Sequence, residues 1–554
     1  MPLAGASTLR LSAGLGSLAV VTLLFTGARF STNDDALIRS LANGDLGGTP
    51  NSHLVFVSSL IGMTLSVLYH LTGSVPWYAI LLNCVVVAAS VACVRHLTRE
   101  RCGTIVALLA AAPALIVVLS LQTFTAAAIL TTACALALHR EGLIGPEQRS
   151  NEALAIIVLC LGFSLRFDGA VLAVILCEVV LLAGEPRAWS RRHARFLAIA
   201  AVAVLATRGL DLLVYWLDSG WRQFWEFDQV RGQLHSTPRL GRSPQLTAGR
   251  IRAGWTEADL DLFRRWLYTD PDTYTTPALS TLVSATDDLP ATRTWSDALE
   301  NSVLTPYGTW LWWAVPTVAL ILGRSVRRGA AMFAGIAMWC GAGTYLAMFQ
   351  RFPQRVAVPC LAALALFGTA RELRDLGSGR RLLSPIAIAA VACIPAAATL
   401  VGEINRGQRD REQLTAHTEA IESLPDDTLL VVVGSAVRLE GESAFARSAL
   451  DARRTVVLSW SNLSPAYFAQ LDRMGIGEPI EAAASRDDVM LVVPANEAPL
   501  YVELLNTWLL ERGIAAPIAV RSEAGGLAFL GGDHRGNDSA ASSTRSTSDS
   551  ESSE

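Results

Sequence analysis

Uncharged apolar runs separated by short basic connectors fill most of the chain up to residue 401, and a polar, alternating pattern replaces them beyond it. Runs near 11–28, 77–94, 103–119, 121–138, 152–165, 168–184, 196–217, 308–323, 329–348, 355–370 and 382–401 are close to the ~20 residues an α-helix needs to cross a bilayer. One more uncharged run, 54–72, either crosses or lies along the surface. The pattern predicts a mainly α-helical, polytopic membrane protein with about eleven transmembrane helices plus interfacial helices. Past 401, a polar helical stretch at 404–424 leads into β-type runs at 428–433, 455–459, 488–493 and 517–520. Helical patterns near 442–450, 465–474 and 497–512 are interleaved with them. That alternation predicts a small α/β domain. The Ser-, Asp- and Glu-rich stretch 534–554 predicts a disordered tail.

Charge orients the runs. Sixteen arginines fall in one alternating set of short connectors: Arg95, Arg99, Arg101, Arg140, Arg149, Arg187, Arg191, Arg192, Arg195, Arg324, Arg327, Arg328, Arg371, Arg374, Arg380 and Arg381. The opposing short connectors hold three, Arg166, Arg351 and Arg355. The positive-inside rule puts the first set in the cytoplasm. It follows that 218–306 is a long outer loop and that the chain after 402 lies outside. If 54–72 does not cross, the N-terminus is cytoplasmic and 29–76 is a first outer loop; if it crosses, Asp34-Asp35 falls inside. Residues 11–28 also resemble a signal peptide, with Thr26-Gly27-Ala28 as a cleavage-like site, although the many later spans favour a retained anchor. The division is thus a transmembrane domain at 1–401, an extracytoplasmic α/β domain at 402–533 and the tail at 534–554.

Composition agrees with this. The 554 residues are 51% apolar and 17% charged, with a mean hydropathy of +0.38, too apolar for a soluble chain of this size. A net charge of −4 argues against nucleic acid as a partner. All 45 basic residues are arginine, so every cation is a permanent guanidinium. The nine cysteines lie in or beside apolar segments, which predicts no disulfide framework in the polar regions, and no Cys/His spacing fits zinc.

Four constellations are candidates for chemistry. Asn33-Asp34-Asp35 follows the first apolar run. A carboxylate outside the membrane suits a general base that takes a proton from a hydroxyl. Paired acids also suit a divalent cation such as Mg or Mn that steadies a phosphate. Equally, Thr32 or Asn33 caps a helix whose positive end the acids complement. Leu165-Arg166-Phe167-Asp168-Gly169 sits at an outward helix junction, where Arg166 suits a lipid phosphate or pairs with Asp168 across a turn. Gln350-Arg351-Phe352-Pro353-Gln354-Arg355 places two arginines against the sorting rule, as a headgroup site or as contacts to ordinary lipid phosphates. Trp221, Phe224, Trp225 and Phe227 suit interfacial anchoring or stacking on sugar rings. In the same loop Thr256-Glu-Ala-Asp259 reads as a capping signal for a helix over 259–268. Arg208 and Asp211, three apart, predict a local pair. Glu178 is a lone acid in an apolar run.

In order along the chain, Asn33-Asp34-Asp35, the uncharged segment 53–71, Leu165-Arg166-Phe167-Asp168-Gly169-Ala170 and the Gln-Arg-Phe…Pro stretch at 350–359 resemble the GT-C superfamily of polytopic glycosyltransferases. The resemblance covers roughly 1–401 and lies in order and sidedness, since each motif is short. It implies a bacterial plasma-membrane enzyme that moves a sugar from a polyprenyl-phosphate donor to an extracytoplasmic acceptor hydroxyl, with inversion. It implies Asp34 or Asp35 as catalytic base and Arg166, Asp168, Arg351 and Arg355 at the carrier phosphate, with 54–72 at the outer surface. Two features depart from it. Asp-Asp stands where relatives often carry Asp-Glu or Asp-X-Asp, leaving metal use open, and the C-terminal domain reads as α/β rather than all-β, leaving the acceptor open among cell-wall glycan, glycolipid and protein. A transporter or lipid flippase, and a non-catalytic scaffold with an outer binding domain, are the readings from other classes.

Overall fold

The computed structural model describes residues 3–99, 104–142, 148–184, 190–236, 244–287, 293–322, 325–349, 351–374, 383–434, 436–446, 448, 450 and 455–533. Arg101, Arg187, Arg324, Gln350, Arg380, Arg381 and the predicted tail 534–554 lie outside the described residues. Helices cover every predicted apolar run. α1 (Leu3–Thr26) is followed by two short helices, α2 (Asn33–Asn43) and α3 (Ser59–Leu71). Then come α4 (Trp77–Arg99), α5 (Thr104–Leu121), α6 (Phe124–Gly142), α7 (Gln148–Leu165), α8 (Phe167–Gly184) and α9 (Arg191–Leu217). The 218–306 connection is built from α10 (Ser219–Ser236), α11 (Pro244–Arg252), α12 (Glu257–Arg264), α13 (Thr276–Asp287) and α14 (Trp295–Leu299). α15 (Gly308–Leu322), α16 (Val326–Phe349), α17 (Gln354–Arg374) and α18 (Leu383–Glu422) follow. Among the described residues, four helices are long and apolar enough to cross a membrane: Trp77–Val94, Phe167–Gly184, Arg191–Leu217 and Val326–Phe349. Length and composition thus mark four spans where the apolar pattern predicts about eleven; the other apolar helices are shorter in their described parts.

Run 54–72 becomes an irregular segment followed by α3, whose 13 residues make about 20 Å at 1.5 Å per residue. That is well short of a hydrocarbon core of roughly 30 Å. Its start is pinned to α9: Asp211 Oδ1 accepts from the Ser58 hydroxyl and the Ser59 N–H, each at 2.7 Å. Asp211 also meets Arg208 at 3.5 Å, the pair its spacing predicts. Glu178 on α8 finds its partner in His193 of α9 at 3.1 Å, which in turn meets His139 of α6 at 3.0 Å.

The residue 401/402 boundary falls inside one continuous helix. α18 has 40 residues, about 60 Å of length; its apolar first part continues without a break into the polar stretch 404–422 and so to the C-terminal unit. That unit is a five-stranded sheet of β1 (Leu429–Val433), β2 (Thr455–Leu458), β3 (Val489–Pro494), β4 (Ile518–Ala524) and β5 (Leu527–Gly532) in the order β2-β1-β3-β5-β4. β1 runs parallel to β2 and β3, with Val431 opposite Val456 and Leu491, while β5 is antiparallel to β3 and β4. Every residue of β1 is buried, as a parallel strand covered on both faces requires. α19 (Pro465–Met474), α20 (Pro479–Ser485) and α21 (Ala498–Glu511) complete it. β5 and α20 add to the predicted elements, and the helix expected at 442–450 is absent among the described residues. There, Ala444 N–H donates to the Ala28 carbonyl at 2.6 Å, and Arg39 donates to the Ala446 carbonyl at 3.1 Å. Contacts to another part of the chain outweigh the local helical pattern.

The two parts are joined by buried charge. Arg29 meets Glu403 at 3.0 Å and Asp410 at 3.1 Å, both on α18. Gly407 lies between them on α18, and a Cβ there would come within 2.5 Å of the Arg29 Nε, so only glycine lets the side chain lie along the helix. Arg39 of α2 pairs with Glu442 at 2.7 Å, both side chains buried.

Candidate active site

α2 brings the acidic motif to the junction of the helical part and the sheet. Thr32 is extended at the N-cap but makes no side-chain cap bond; its hydroxyl donates to Asp35 Oδ2 instead, at 2.9 Å. Asn33 fastens the first turn to the C-terminal unit: its Nδ2 donates to the Gly434 carbonyl at 3.1 Å, and its Oδ1 accepts from the Glu440 N–H at 3.2 Å. The two aspartates then diverge.

Asp35 is fully buried. Its Oδ1 accepts from the Phe124 N–H at 3.0 Å and from the Tyr78 hydroxyl at 2.9 Å. It therefore ties α2 to α4 and satisfies an otherwise open amide at the start of α6. Burial pushes its carboxyl up to about 7, against the pull of the Phe124, Thr32 and Tyr78 hydrogen bonds. Asp34 keeps 28% of its side chain exposed and meets Arg355, in the first turn of α17, at 2.6 Å.

Arg166 stands between α7 and α8. It pairs with Asp168 at 3.3 Å, and its guanidinium lies 5.1 Å from the Phe56 ring and 5.6 Å from the Phe124 ring, within cation–π reach. The charges acting on it are Asp168, Arg355, Asp34 and Asp228. Residues more than three hundred positions apart in sequence thus meet in the Asp34–Arg355 pair, and the Arg166–Asp168 pair lies within their electrostatic field. Arg351 is exposed just ahead of α17, and its charge acts on His235.

The long loop contributes more than its sequence indicated. On α10, Asp228 and Arg231 form a buried ion pair, with Arg231 lying 5.2 Å from the Trp266 ring and within the field of Asp34. Burial, then Arg231 and Arg351, push the His235 imidazole down to about 2, so it stays neutral against Trp266. The i,i+3 spacing of Asp228 and Arg231 beside the aromatic stretch was the available signal. Three of the four aromatics are core: Trp221, Phe224 and Phe227 are buried, and Trp221 stacks on His53, so these three form neither interfacial anchors nor an open sugar platform, while Trp225 is half-buried against the same core. The capping box at Thr256 and Asp259 is present, on a helix that ends at Arg264 rather than 268.

The Asp34-Asp35 pair fits a divalent cation poorly. Hard cations take several oxygen ligands, whereas Asp35 has its lone pairs engaged by three donors and Asp34 faces a guanidinium. Among the described residues no group of three His, Cys, Asp or Glu side chains gathers as a metal site.

No protein-family model matches the chain, and no curated protein matches it. Among solved structures it is similar to ArnT from Cupriavidus metallidurans bound to undecaprenyl phosphate, at 14% identity over 93% of this chain and 97% of that one, with a TM-score of 0.37. It is also similar to the archaeal oligosaccharyltransferase AglB from Archaeoglobus fulgidus in complex with an inhibitory peptide and a dolichol-phosphate (12% identity, 89% and 71% covered, TM-score 0.36). A third is the Archaeoglobus fulgidus oligosaccharyltransferase complex with Zn and sulfate (13% identity, 88% and 69% covered, TM-score 0.38). At these identities and TM-scores the likenesses carry no argument about the site.

Proposed function

We propose that the protein is a membrane glycosyltransferase that moves a sugar from a polyprenyl-phosphate donor to an acceptor hydroxyl on the outer face of a bacterial plasma membrane. The observation that carries this reading is one half-open carboxylate, Asp34, paired with Arg355 at 2.6 Å and within the electrostatic field of Arg166, both guanidinium groups being placed against the charge-sorting rule. Undecaprenyl phosphate and dolichol-phosphate are named ligands of two similar structures; for this chain the reading rests on its own arginines.

The chemistry follows from exchange of partners. Without donor, Arg355 holds Asp34. A phosphodiester arriving from the lipid side competes for the guanidinium, since both anions accept charge-assisted hydrogen bonds from it. Asp34, released, takes the proton of the acceptor hydroxyl. The hydroxyl oxygen attacks the anomeric carbon as the bond to the phosphate oxygen breaks, so the centre inverts and polyprenyl phosphate leaves, its charge held by Arg355, Arg166 and Arg351. A carboxylate repels phosphate, so Asp168 acts here by holding Arg166 in place. Asp35 positions α2 and takes no proton from substrate. The proposal keeps the eleven-span arrangement, with α2, the 218–306 connection and the C-terminal unit outside. Glu178, the acid that kept a transporter in view, is accounted for by its bond to His193.

The test is transfer in proteoliposomes from a set of undecaprenyl-phosphate pentoses and hexoses, comparing wild type with Asp34→Asn. Transfer by wild type and its loss in the variant at equal abundance is the expected result. An undiminished Asp34→Asn enzyme would overturn Asp34 as the base, and a wild type that transfers from none of the donors would sink the reading.

A further inference from the structure

Among the described residues, five other than glycine have a left-handed backbone: Ala28, Val55, Gln122, Trp266 and Leu463. A β-branched residue tolerates that conformation least, so Val55, at φ +65°, is a genuine outlier. Four of the five, all but Ala28, flank one chain of contacts between distant parts of the sequence. Phe56, next to Val55, stacks with Phe124, two residues past Gln122, with ring centroids 6.1 Å apart and planes within 1°. Phe56 also meets Trp460, just after β2, at 4.9 Å and edge to face. In the same loop, Asn462 Nδ2, beside Leu463, donates to the Trp266 carbonyl at 2.8 Å. Strain of this kind persists only where the surroundings over-determine it, and it collects at ligand sites.

The turn at Val55 is held from both sides. The Val55 N–H donates to the Tyr215 hydroxyl at 2.9 Å, and the Phe56 N–H folds back on the Leu54 carbonyl at 2.7 Å. The Ser58 N–H donates to the Ser164 carbonyl at 2.8 Å, and Asp211 takes the Ser58 hydroxyl and the Ser59 N–H. The turn sets the half-buried Phe56 ring against Arg166, whose guanidinium carbon lies 5.1 Å from it and 5.6 Å from Phe124. Asp168 is the one carboxylate paired with Arg166 among the described residues, and its side chain is 79% exposed. A pair so open to water is loosely held and does not fix the guanidinium plane alone. Aromatic faces attract the cation while leaving its in-plane N–H groups free. The rings therefore orient Arg166 without competing with an anion for its donors, and the side chain, 29% exposed, stays open to one.

We infer that Phe56 and Trp460 are positioning residues for the donor phosphate: Phe56 sets the Arg166 guanidinium, and Trp460 buttresses Phe56 from the C-terminal unit. The inference rests on the proposed role of Arg166 and deepens it. It gives the C-terminal unit a part in donor binding through a residue that touches no substrate.

The experiment measures equilibrium binding of undecaprenyl phosphate to the full chain in detergent by native mass spectrometry, so it does not depend on transfer. It compares wild type with Phe56→Leu, Phe56→Tyr, Trp460→Leu, Arg166→Gln and the double variants of Arg166→Gln with Phe56→Leu and with Trp460→Leu. Phe56→Leu keeps an apolar side chain and removes the aromatic face. Phe56→Leu and Trp460→Leu should each weaken binding about three- to tenfold, and Phe56→Tyr, which keeps the ring, should restore it. On the Arg166→Gln background neither leucine variant should weaken binding further, because both act through the guanidinium. Equal losses with and without Arg166 would mean general structural damage and would overturn the inference. Wild-type affinity in both leucine variants, with Arg166→Gln weakened, overturns it while leaving Arg166 at the phosphate. No binding by wild type, or binding indifferent to Arg166→Gln, removes Arg166 from the phosphate site and overturns the inference with it. If the coupling to Arg166 appears but no sugar is transferred in proteoliposomes, the positioning role stands and the glycosyltransferase reading fails.

Discussion

Two adjacent aspartates of identical chemistry end in opposite environments, and isosteric substitution separates them. Asp34 is open on one side and faces Arg355. Asp34→Asn keeps the shape but cannot take a proton, so transfer should fall by about 10²–10⁴-fold with little change in melting temperature. Asp35→Asn should behave otherwise. An asparagine there can accept from Phe124 N–H and Tyr78 with Oδ1 and donate to the Thr32 hydroxyl with Nδ2, so the network survives. The pH dependence gives a second check. Because burial raises the folded Asp35 carboxyl from 3.8 to about 7, the folded state binds the proton more tightly than the unfolded one. Its contribution to stability is complete below about pH 4 and is lost as pH rises through about 7. Asp35→Asn should therefore melt close to wild type at about pH 4 and increasingly above it towards pH 8, followed by thermal unfolding in detergent. Loss of transfer on Asp35→Asn with Asp34→Asn active would exchange the two roles. A third substitution concerns the phosphate. Arg166→Gln removes a charge-assisted contact worth about 1.5–3 kcal/mol, so the donor KM should rise about 10- to 100-fold while the acceptor KM holds. The pairing of Asp34 with Arg355 was out of reach of the sequence, because nothing local marks two residues 321 positions apart as neighbours; what it did hold was the anomaly of both arginines against the sorting rule.

At the scale of elements, the apolar runs were legible because helix length and hydrophobicity are local properties. α18 was legible only in halves: a hydropathy window ends at 401, yet backbone hydrogen bonding continues through polar residues to Glu422. β5, Leu-Ala-Phe-Leu-Gly-Gly, escaped notice because its glycines weaken strand propensity; pairing on both edges and full burial form it instead. α20 has seven residues, too few for a periodic signal. The buried contact between Arg29 and α18 is the test at this scale. Arg29→Met removes the buried guanidinium shared by Glu403 and Asp410 and leaves Glu403, whose side chain is 2% exposed, with only the part-exposed Arg406 at 3.0 Å; breaking a buried pair costs about 3–5 kcal/mol. A large drop in melting temperature is expected. Adding Glu403→Gln to Arg29→Met should recover part of it, since the second change removes the stranded charge. A double variant no better than the single would show that Arg29 acts by packing alone.

For the whole molecule, sidedness decides whether the proposed chemistry has access to its substrates. The asymmetry of sixteen arginines against three predicts that the proposed active face lies outside, and α3 is too short to reverse that by crossing. The C-terminal sheet is fastened to α2 through Asn33 and Arg39, so one position on that unit reports for the catalytic helix as well. Asp487 serves, with its side chain 82% exposed; Arg327, exposed at the start of α16 in the predicted cytoplasmic set, is the control. Cys84 is exposed and should be replaced by serine first to lower the background. In intact cells an impermeant maleimide should label Asp487→Cys and leave Arg327→Cys unmodified until the membrane is permeabilised. The reverse pattern would put Asp34 in the cytoplasm, away from an acceptor on the outer face, and the glycosyltransferase reading would fall with it. Labelling of neither in intact cells, and of both after permeabilisation, would contradict the crossing parity itself, because Asp487 and Arg327 would then lie on one side.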